Sequence, residues 1–271
     1  MPNACIDGEL VHAGEARIPA ADDGLLRGDG VFEVVRLYGG RPFALDEHLQ
    51  RMAGSAANLR LPLDLERVRA DVELLLDAAD PGDACLRLVA TRGGRRLAFI
   101  EPLLDVPPTL RLASVTYAPP RLMDGIKSLS YAPNMLATRL AAERGADEAL
   151  LVTPHGRVLE GSRQTFFYVL GGAVFTPPLT DHVLDSITRR RVLAMAGGRE
   201  RSVALEDLRE IEEAFLASTL REVHPVSAVD DVVFAAAPGP VTAQAAVAVR
   251  ERIAAEVAAT DTTQAAPDRH K

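Results

Sequence analysis

Lysine is nearly missing from this 271-residue chain. Of its 30 basic residues, 28 are arginine, and only Lys127 and the terminal Lys271 are lysine. On a solvated surface the two side chains exchange at little cost, but arginine keeps its proton, whereas a lysine amine can lose it, attack a carbonyl and form a Schiff base. A single internal lysine is therefore either a chance survivor or a nucleophile that arginine cannot replace. Cysteine is scarce too: Cys5 and Cys85 are too few for a disulfide framework or a thiolate metal site. The histidines, His12, His48, His155, His182, His224 and His270, fall at no ligand spacing, so no metal is expected. No segment approaches the ~18 uninterrupted apolar residues of a membrane helix. The start, MPNACIDGELVHAG, has no basic stretch followed by an apolar run, which points to a cytoplasmic protein without a membrane partner. A formal net charge of −8 leaves no basic face for phosphate backbones and argues against nucleic acid as a partner.

What is present is a globular composition, 48% hydrophobic and 25% charged, in a chain long enough for one large domain or two ordinary ones. GELVH (8–12) reads as a short strand. VFEVVRLY (31–38), ended by Gly39-Gly40, reads as one arm of a hairpin. DEHLQRMAGSAANL, opening with Asp46 as a helix cap, and LERVRADVELLLDAA (65–79), stopped by Asp80-Pro81-Gly82, carry apolar residues at helical spacing. Strand signals return in ACLRLVATR, LAFI and LRLASVTYA. The pattern predicts an α+β chain in two units: a smaller N-terminal α/β domain over 1–115, a linker over 116–123 between the Pro107-Pro108 and Pro119-Pro120 pairs and the rest, and a larger C-terminal domain over 124–271. In the second unit, helices are expected at 133–144, 185–196 and 241–258, around strands at EALLVT, RVLEG, TFFYVL, AVFTP and AFLAS, a barrel-like core. The polar end, from about residue 260, is expected to fray.

Five segments bear on Lys127 together: RGDGVFEVVR (27–36), DEHLQRM (46–52), GIKSLSYAPNMLATRLAAERGADEALLV (125–152), GRVLEGSRQTFF (156–167) with TPPLTDHVLDSITR (176–189), and FLASTLREVHPV (215–226). In order and spacing they resemble the fold-type IV pyridoxal-phosphate enzymes, the family of branched-chain aminotransferases, D-amino-acid aminotransferases and aminodeoxychorismate lyase. The resemblance spans about residues 5 to 255. It implies that Lys127 is the catalytic lysine, which captures the aldehyde of pyridoxal 5'-phosphate and later shuttles a proton. Glu160, in VLEG, matches the family's partner for the ring nitrogen. Arg51, Ile187 and Thr188 at a helix start, and Ser218 with Thr219, match the phosphate donors. The family more often has glycine where Ser186 stands. Tyr131 resembles a position that touches the cofactor, and Phe32 stands where relatives often carry tyrosine.

The same resemblance implies a homodimer acting on amino acids and 2-keto acids. For the substrate, Arg92, Arg95 and Arg96 in TRGGRRLAF cluster where D-amino-acid aminotransferases carry a carboxylate-binding loop. A hairpin turn with solvated arginines reads the same segment equally well. GDGVFEVVRLYGG leans toward D-amino-acid transamination, which is ranked first. The Lys127 segment with VLEGSR is also similar to aminodeoxychorismate lyases forming 4-aminobenzoate and pyruvate, ranked second. SLSY departs from the branched-chain pattern, ranked third. A cofactor-binding protein without turnover is the non-enzymatic alternative; such a protein is expected to have lost Lys127 or Glu160, and both are present.

Overall fold

The computed structural model describes residues 3–264. The first sheet contains β1 (Ala4–Ile6), β2 (Glu9–Val11), β3 (Gly30–Tyr38), β4 (Arg41–Pro42), β5 (Ala84–Thr91) and β6 (Arg96–Glu101). They lie in the order β2-β1-β6-β5-β3-β4 and are antiparallel throughout. The short α1 (Asp23–Arg27) precedes β3, and α2 (Leu45–Asn58) and α3 (Leu65–Ala79) cover one face of the sheet. Side chains alternate along a strand, so each strand offers one set of residues to each face. Val31, Val35 and Leu37 of β3, with Leu86 and Leu88 of β5, pack against Leu49, Met52 and Ala56 of α2 and Val68, Val72 and Leu75 of α3. Phe32, Val34 and Arg36, with Cys85 and Arg87, are left facing a cavity.

The helix signals act as the sequence implies, with one difference. Asp64 caps α3 by accepting from the Arg67 N–H, and Asp80 ends it in the left-handed region at φ 43°. Asp46 is not the cap of α2. Ala44 holds that place, and Asp46 sits in the first turn, where its charge favours the positive end of the helix.

The second sheet contains β7 (Leu110–Thr116), β8 (Glu148–Val152), β9 (Val158–Gly161), β10 (Thr165–Leu170), β11 (Ala173–Thr176), β12 (Arg199–Glu200), β13 (Glu213–Ser218), β14 (Glu222–Val229) and β15 (Val232–Val233). Its order is β12-β11-β10-β13-β14-β7-β8-β9, with β15 on β14. α4 (Ala132–Glu143) lays Ala137 and Ala141 on Ala113, Ala149 and Leu151. α5 (Ile187–Met195) and α6 (Pro240–Gln264) pack Val192, Ala245, Val249 and Ile253 against Phe167, Val169, Phe215 and Ala217.

β7 lies in the second sheet, not the first. β7, expected to close the first unit, pairs in parallel with both β14 and β8 of the second. The crossing is the segment 102–109, marked by Pro107-Pro108, and the expected linker at 116–123 lies on the approach to Lys127. The start of the expected frayed end is helical, since α6 continues to Gln264, and its last residues lie outside the described ones. Among the described residues no helix is long and apolar enough to cross a membrane.

Candidate active site

A cavity of about 1700 Å³ opens between the two sheets, and Lys127 stands on its wall. The lysine segment is stitched to the first sheet through its backbone. The Phe32 N–H donates to the Lys127 carbonyl at 3.1 Å, and the Leu129 N–H donates to the Gly30 carbonyl at 2.9 Å. The Lys127 N–H donates to Ser55 Oγ of α2 at 3.1 Å. A residue pinned from three sides presents its side chain in a fixed direction. Lys127 Nζ lies 4.2 Å from the centroid of the Phe32 ring and 5.9 Å from that of Tyr131. It has no hydrogen bond or ion pair among the described residues. Burial lowers its pKa to about 8, with the Glu33 charge pulling upward and the Arg51 charge pushing down.

Glu160 faces the same cavity from β9. Among the described residues its only hydrogen-bond donor is the Leu184 N–H, 3.3 Å from each carboxylate oxygen. Burial raises its pKa to about 7, against the opposing pull of that N–H and of the Lys127 and Arg189 charges. A desolvated carboxylate without a cation of its own is incomplete until one arrives. Tyr131 donates its hydroxyl to the Ser162 carbonyl at 3.2 Å and meets Phe32 edge to face, centroids 5.2 Å apart. Burial pushes its phenol pKa upward, so the hydroxyl keeps its proton.

Arg51 is aimed by residues that sequence reasoning did not single out. Glu33, wholly buried on the helix-facing side of β3, accepts from Arg51 Nε at 2.7 Å and from a terminal guanidinium nitrogen at 2.6 Å. It also pairs with His48 Nδ1 at 2.8 Å. Burial acts to raise the Glu33 carboxyl, but the bonds from Arg51 and His48 outweigh it and hold the pKa at about 2. The signal was available: a carboxylate inside the apolar run VFEVV, in step with Val31 and Val35, must find a cation or neutralise.

Opposite Arg51, α5 starts at Ile187 with Ser186 as its cap, accepting from the Arg189 N–H at 3.3 Å. Ser186 has φ −77°, a conformation open to any residue, so glycine is not required there. Ser186, Ser218 and Thr219 line the cavity, while Ile187 and Thr188 are buried at the helix start. The hydroxyls of Thr188, Ser218 and Thr219 have no hydrogen-bond partner among the described residues. Free N–H groups at a helix start, idle hydroxyls and a fixed guanidinium form a cradle for a phosphate. With a lysine amine and a cation-free carboxylate in the same cavity, this donor set fits pyridoxal phosphate.

The three loop arginines lie elsewhere. Arg92 pairs with Asp29 at 3.0 Å and donates to the Leu59 carbonyl at 2.9 Å. Arg95 pairs with Asp7 at 2.8 Å, and Arg96 with Asp71 at 2.9 Å. None lines the cavity of Lys127. The short hairpin between β5 and β6, with Gly94 at φ +82°, carries them beside carboxylates of their own unit. The cavity instead carries other arginines, Arg36, Arg87, Arg163 and Arg221 among them.

A family model described as amino-transferase class IV matches residues 30–229. A D-alanine aminotransferase of Bacillus licheniformis is 31% identical, the match covering 94% of this chain and 98% of that one. A protein of Methanocaldococcus jannaschii named as a branched-chain-amino-acid aminotransferase is 34% identical over 83% of this chain and 87% of its own. Among solved structures, a hypothetical aminotransferase from Mycobacterium tuberculosis with alpha-ketoglutarate and PMP bound superposes with a TM-score of 0.85, at 26% identity over 95% of this chain and 99% of that one.

Proposed function

The chain belongs to the class IV aminotransferases, which are pyridoxal-phosphate enzymes, and on that premise we propose that it moves the amino group of a D-amino acid to a 2-keto acid, with Lys127 as its catalytic amine. The observation that carries the residue assignment is the meeting, in one cavity, of an unpaired lysine amine, a half-buried carboxylate without an ion pair among the described residues and a cradle for an anion.

When bound, pyridoxal phosphate supplies a carbonyl that takes up the amino group and a ring that spreads the electrons left as the substrate Cα loses its proton. The Lys127 amine removes that proton and returns it. With a pKa of about 8, part of it is unprotonated near neutral pH, and the protonated form is a competent acid. Glu160 holds a proton on the ring nitrogen by offering its carboxylate as the counter-charge. Arg51, the N–H groups of Ile187 and Thr188, and the hydroxyls of Thr188, Ser218 and Thr219 hold the phosphate. Phe32 and Tyr131 wall the amine off from water. The donor leaves as its keto acid before the acceptor enters, a ping-pong cycle.

The likeness to D-alanine aminotransferases supports a D-amino acid as donor, and the M. jannaschii relative supports a branched-chain L-amino acid as the second reading. The expected homodimer is part of the proposal. Leu25, Leu26 and Leu122 stand 59%, 60% and 91% exposed, which favours burial against a second copy.

Borohydride reduction of the protein mixed with pyridoxal phosphate, followed by peptide mapping, tests the lysine. The label is expected on the peptide holding Lys127, and Lys127→Ala is expected to lose it together with about 10²-fold or more of the transfer rate. A label on Lys271, or Lys127→Ala turning over at the wild-type rate, overturns the assignment. Bleaching of the visible band by D-alanine rather than L-leucine selects the first substrate reading.

A further inference from the structure

The lysine segment is not the only seam between the two sheets. The turn from β13 to β14, residues 219–221, carries Thr219, and two side chains of β3 hold its far end. Arg36 donates to the Leu220 carbonyl at 2.7 Å, and Tyr38 donates its hydroxyl to Glu222 Oε1 at 2.9 Å. Arg36 also lies 3.7 Å from that same oxygen, with its guanidinium carbon 4.7 Å from the centroid of the Tyr38 ring. The two stand two residues apart on the strand, so one face of β3 delivers them together. The Glu222 side chain is 13% exposed, and its other oxygen faces Arg250 of α6 at 3.5 Å. Arg250 is 72% exposed, so that pair is the weaker hold. Burial and the Glu222 charge push the Tyr38 phenol upward, and its hydroxyl stays a donor.

Glu222 itself sits at φ 54°, in the left-handed region that a residue with a Cβ enters only at a cost. Such a conformation persists where its surroundings over-determine it, and here the side chain is gripped by the hydroxyl and guanidinium of β3. Glycine would meet the backbone demand without strain. What the glutamate supplies instead is the tie to the first sheet. The same strand also governs the other side of the cradle, because Glu33 of β3 aims Arg51 from the helix-facing side. One strand of the first sheet therefore sets the guanidinium and, through Arg36 and Tyr38, the turn that carries the hydroxyl opposite it.

We propose that Arg36, Tyr38 and Glu222 form a clamp by which the first sheet positions the Thr219 turn for the cofactor phosphate, so that affinity for the phosphate, and not for the ring or its carbonyl, depends on it. All three are positioning residues, since each acts through the turn. The proposal rests on the reading of Thr219 as a phosphate donor and adds the residues of the other unit that place it.

The test titrates the cofactor-free wild type, Glu222→Gly, Glu222→Gln and Tyr38→Phe with pyridoxal phosphate and with pyridoxal, which has the same ring and carbonyl but no phosphate, and melts each without ligand. The readout is the ratio of the two affinities. Glu222→Gly, which suits the left-handed backbone but has no carboxylate, is expected to lower the ratio roughly tenfold or more while pyridoxal affinity stays within about twofold of wild type. Glu222→Gln still accepts from Tyr38 and is expected to fall between the two. Tyr38→Phe removes one oxygen, keeps the edge contact with Phe43, and is expected to lower the ratio roughly threefold. It decides the matter if Glu222→Gly does not fold. An equal loss of both affinities overturns the clamp, as does a lower melting temperature with the ratio unchanged, because either marks residues that merely brace the fold. If the wild type binds pyridoxal as tightly as pyridoxal phosphate, the anion cradle fails and the clamp falls with it. A wild-type preference that survives intact in all three variants sinks the clamp alone.

Discussion

Glu160 has no ion pair among the described residues, and this has a consequence for stability. Its folded pKa is raised to about 7 from an ordinary 4.5. Between those values the cofactor-free folded chain keeps a proton that the unfolded chain has released. The stabilising contribution is therefore full below about pH 4.5 and lost as pH rises through about 7. Lys127, near 8, offers little compensation in mild alkali. Cofactor-free Glu160→Gln is thus expected to melt a few degrees above the wild type at pH 8.5 and close to it at pH 5, by thermal denaturation. Once loaded, the same variant should retain the cofactor yet transfer amino groups far more slowly. Glu33→Gln leaves Arg51 without its charged anchor, and cofactor affinity should fall roughly 10- to 100-fold by fluorescence titration. Lys127 could be singled out because arginine cannot do a nucleophile's work, whereas Glu160 and Arg51 read as ordinary surface residues apart from the family resemblance; the structure brings all three to one cavity. The partners of the loop arginines were hidden, since Asp7, Asp29 and Asp71 lie 25 to 88 residues away in the chain.

Between elements, the decisive contact is that of β3 with the lysine segment. Gly30 makes it possible: a Cβ there would lie 2.5 Å from the Ala90 carbonyl oxygen and 2.6 Å from Leu129 Cδ1. Gly30→Ala is expected to cost about 1–3 kcal/mol in urea unfolding and to loosen cofactor retention by shifting residues 127–129. Helices and hairpins were readable because capping, periodicity and turn residues are local. The place of β7 was not. Its partner β14 lies more than a hundred residues downstream, and nothing in LRLAS distinguishes a strand that ends one sheet from one that sits inside the next.

Taken whole, the molecule is acidic outside and cationic in its cavity, where seven arginines and Lys127 outnumber Glu101, Asp124, Glu160 and Glu222. Such a cleft concentrates anions through a field that salt screens. Raising ionic strength should raise KM for keto acids more than it lowers kcat, measurable in a salt series. Sedimentation should give twice the chain mass, the outcome the exposed leucines call for. The parallel seam of β7 with β14 also sets a timetable. The first sheet is complete once residue 101 has left the ribosome, but β7 waits for residue 229 before both its edges are filled. At synthesis rates of roughly 5–20 residues per second, that wait lasts many seconds. A nascent chain therefore carries a finished first half and an exposed β7 edge together, and that interval is when a chaperone has most to protect.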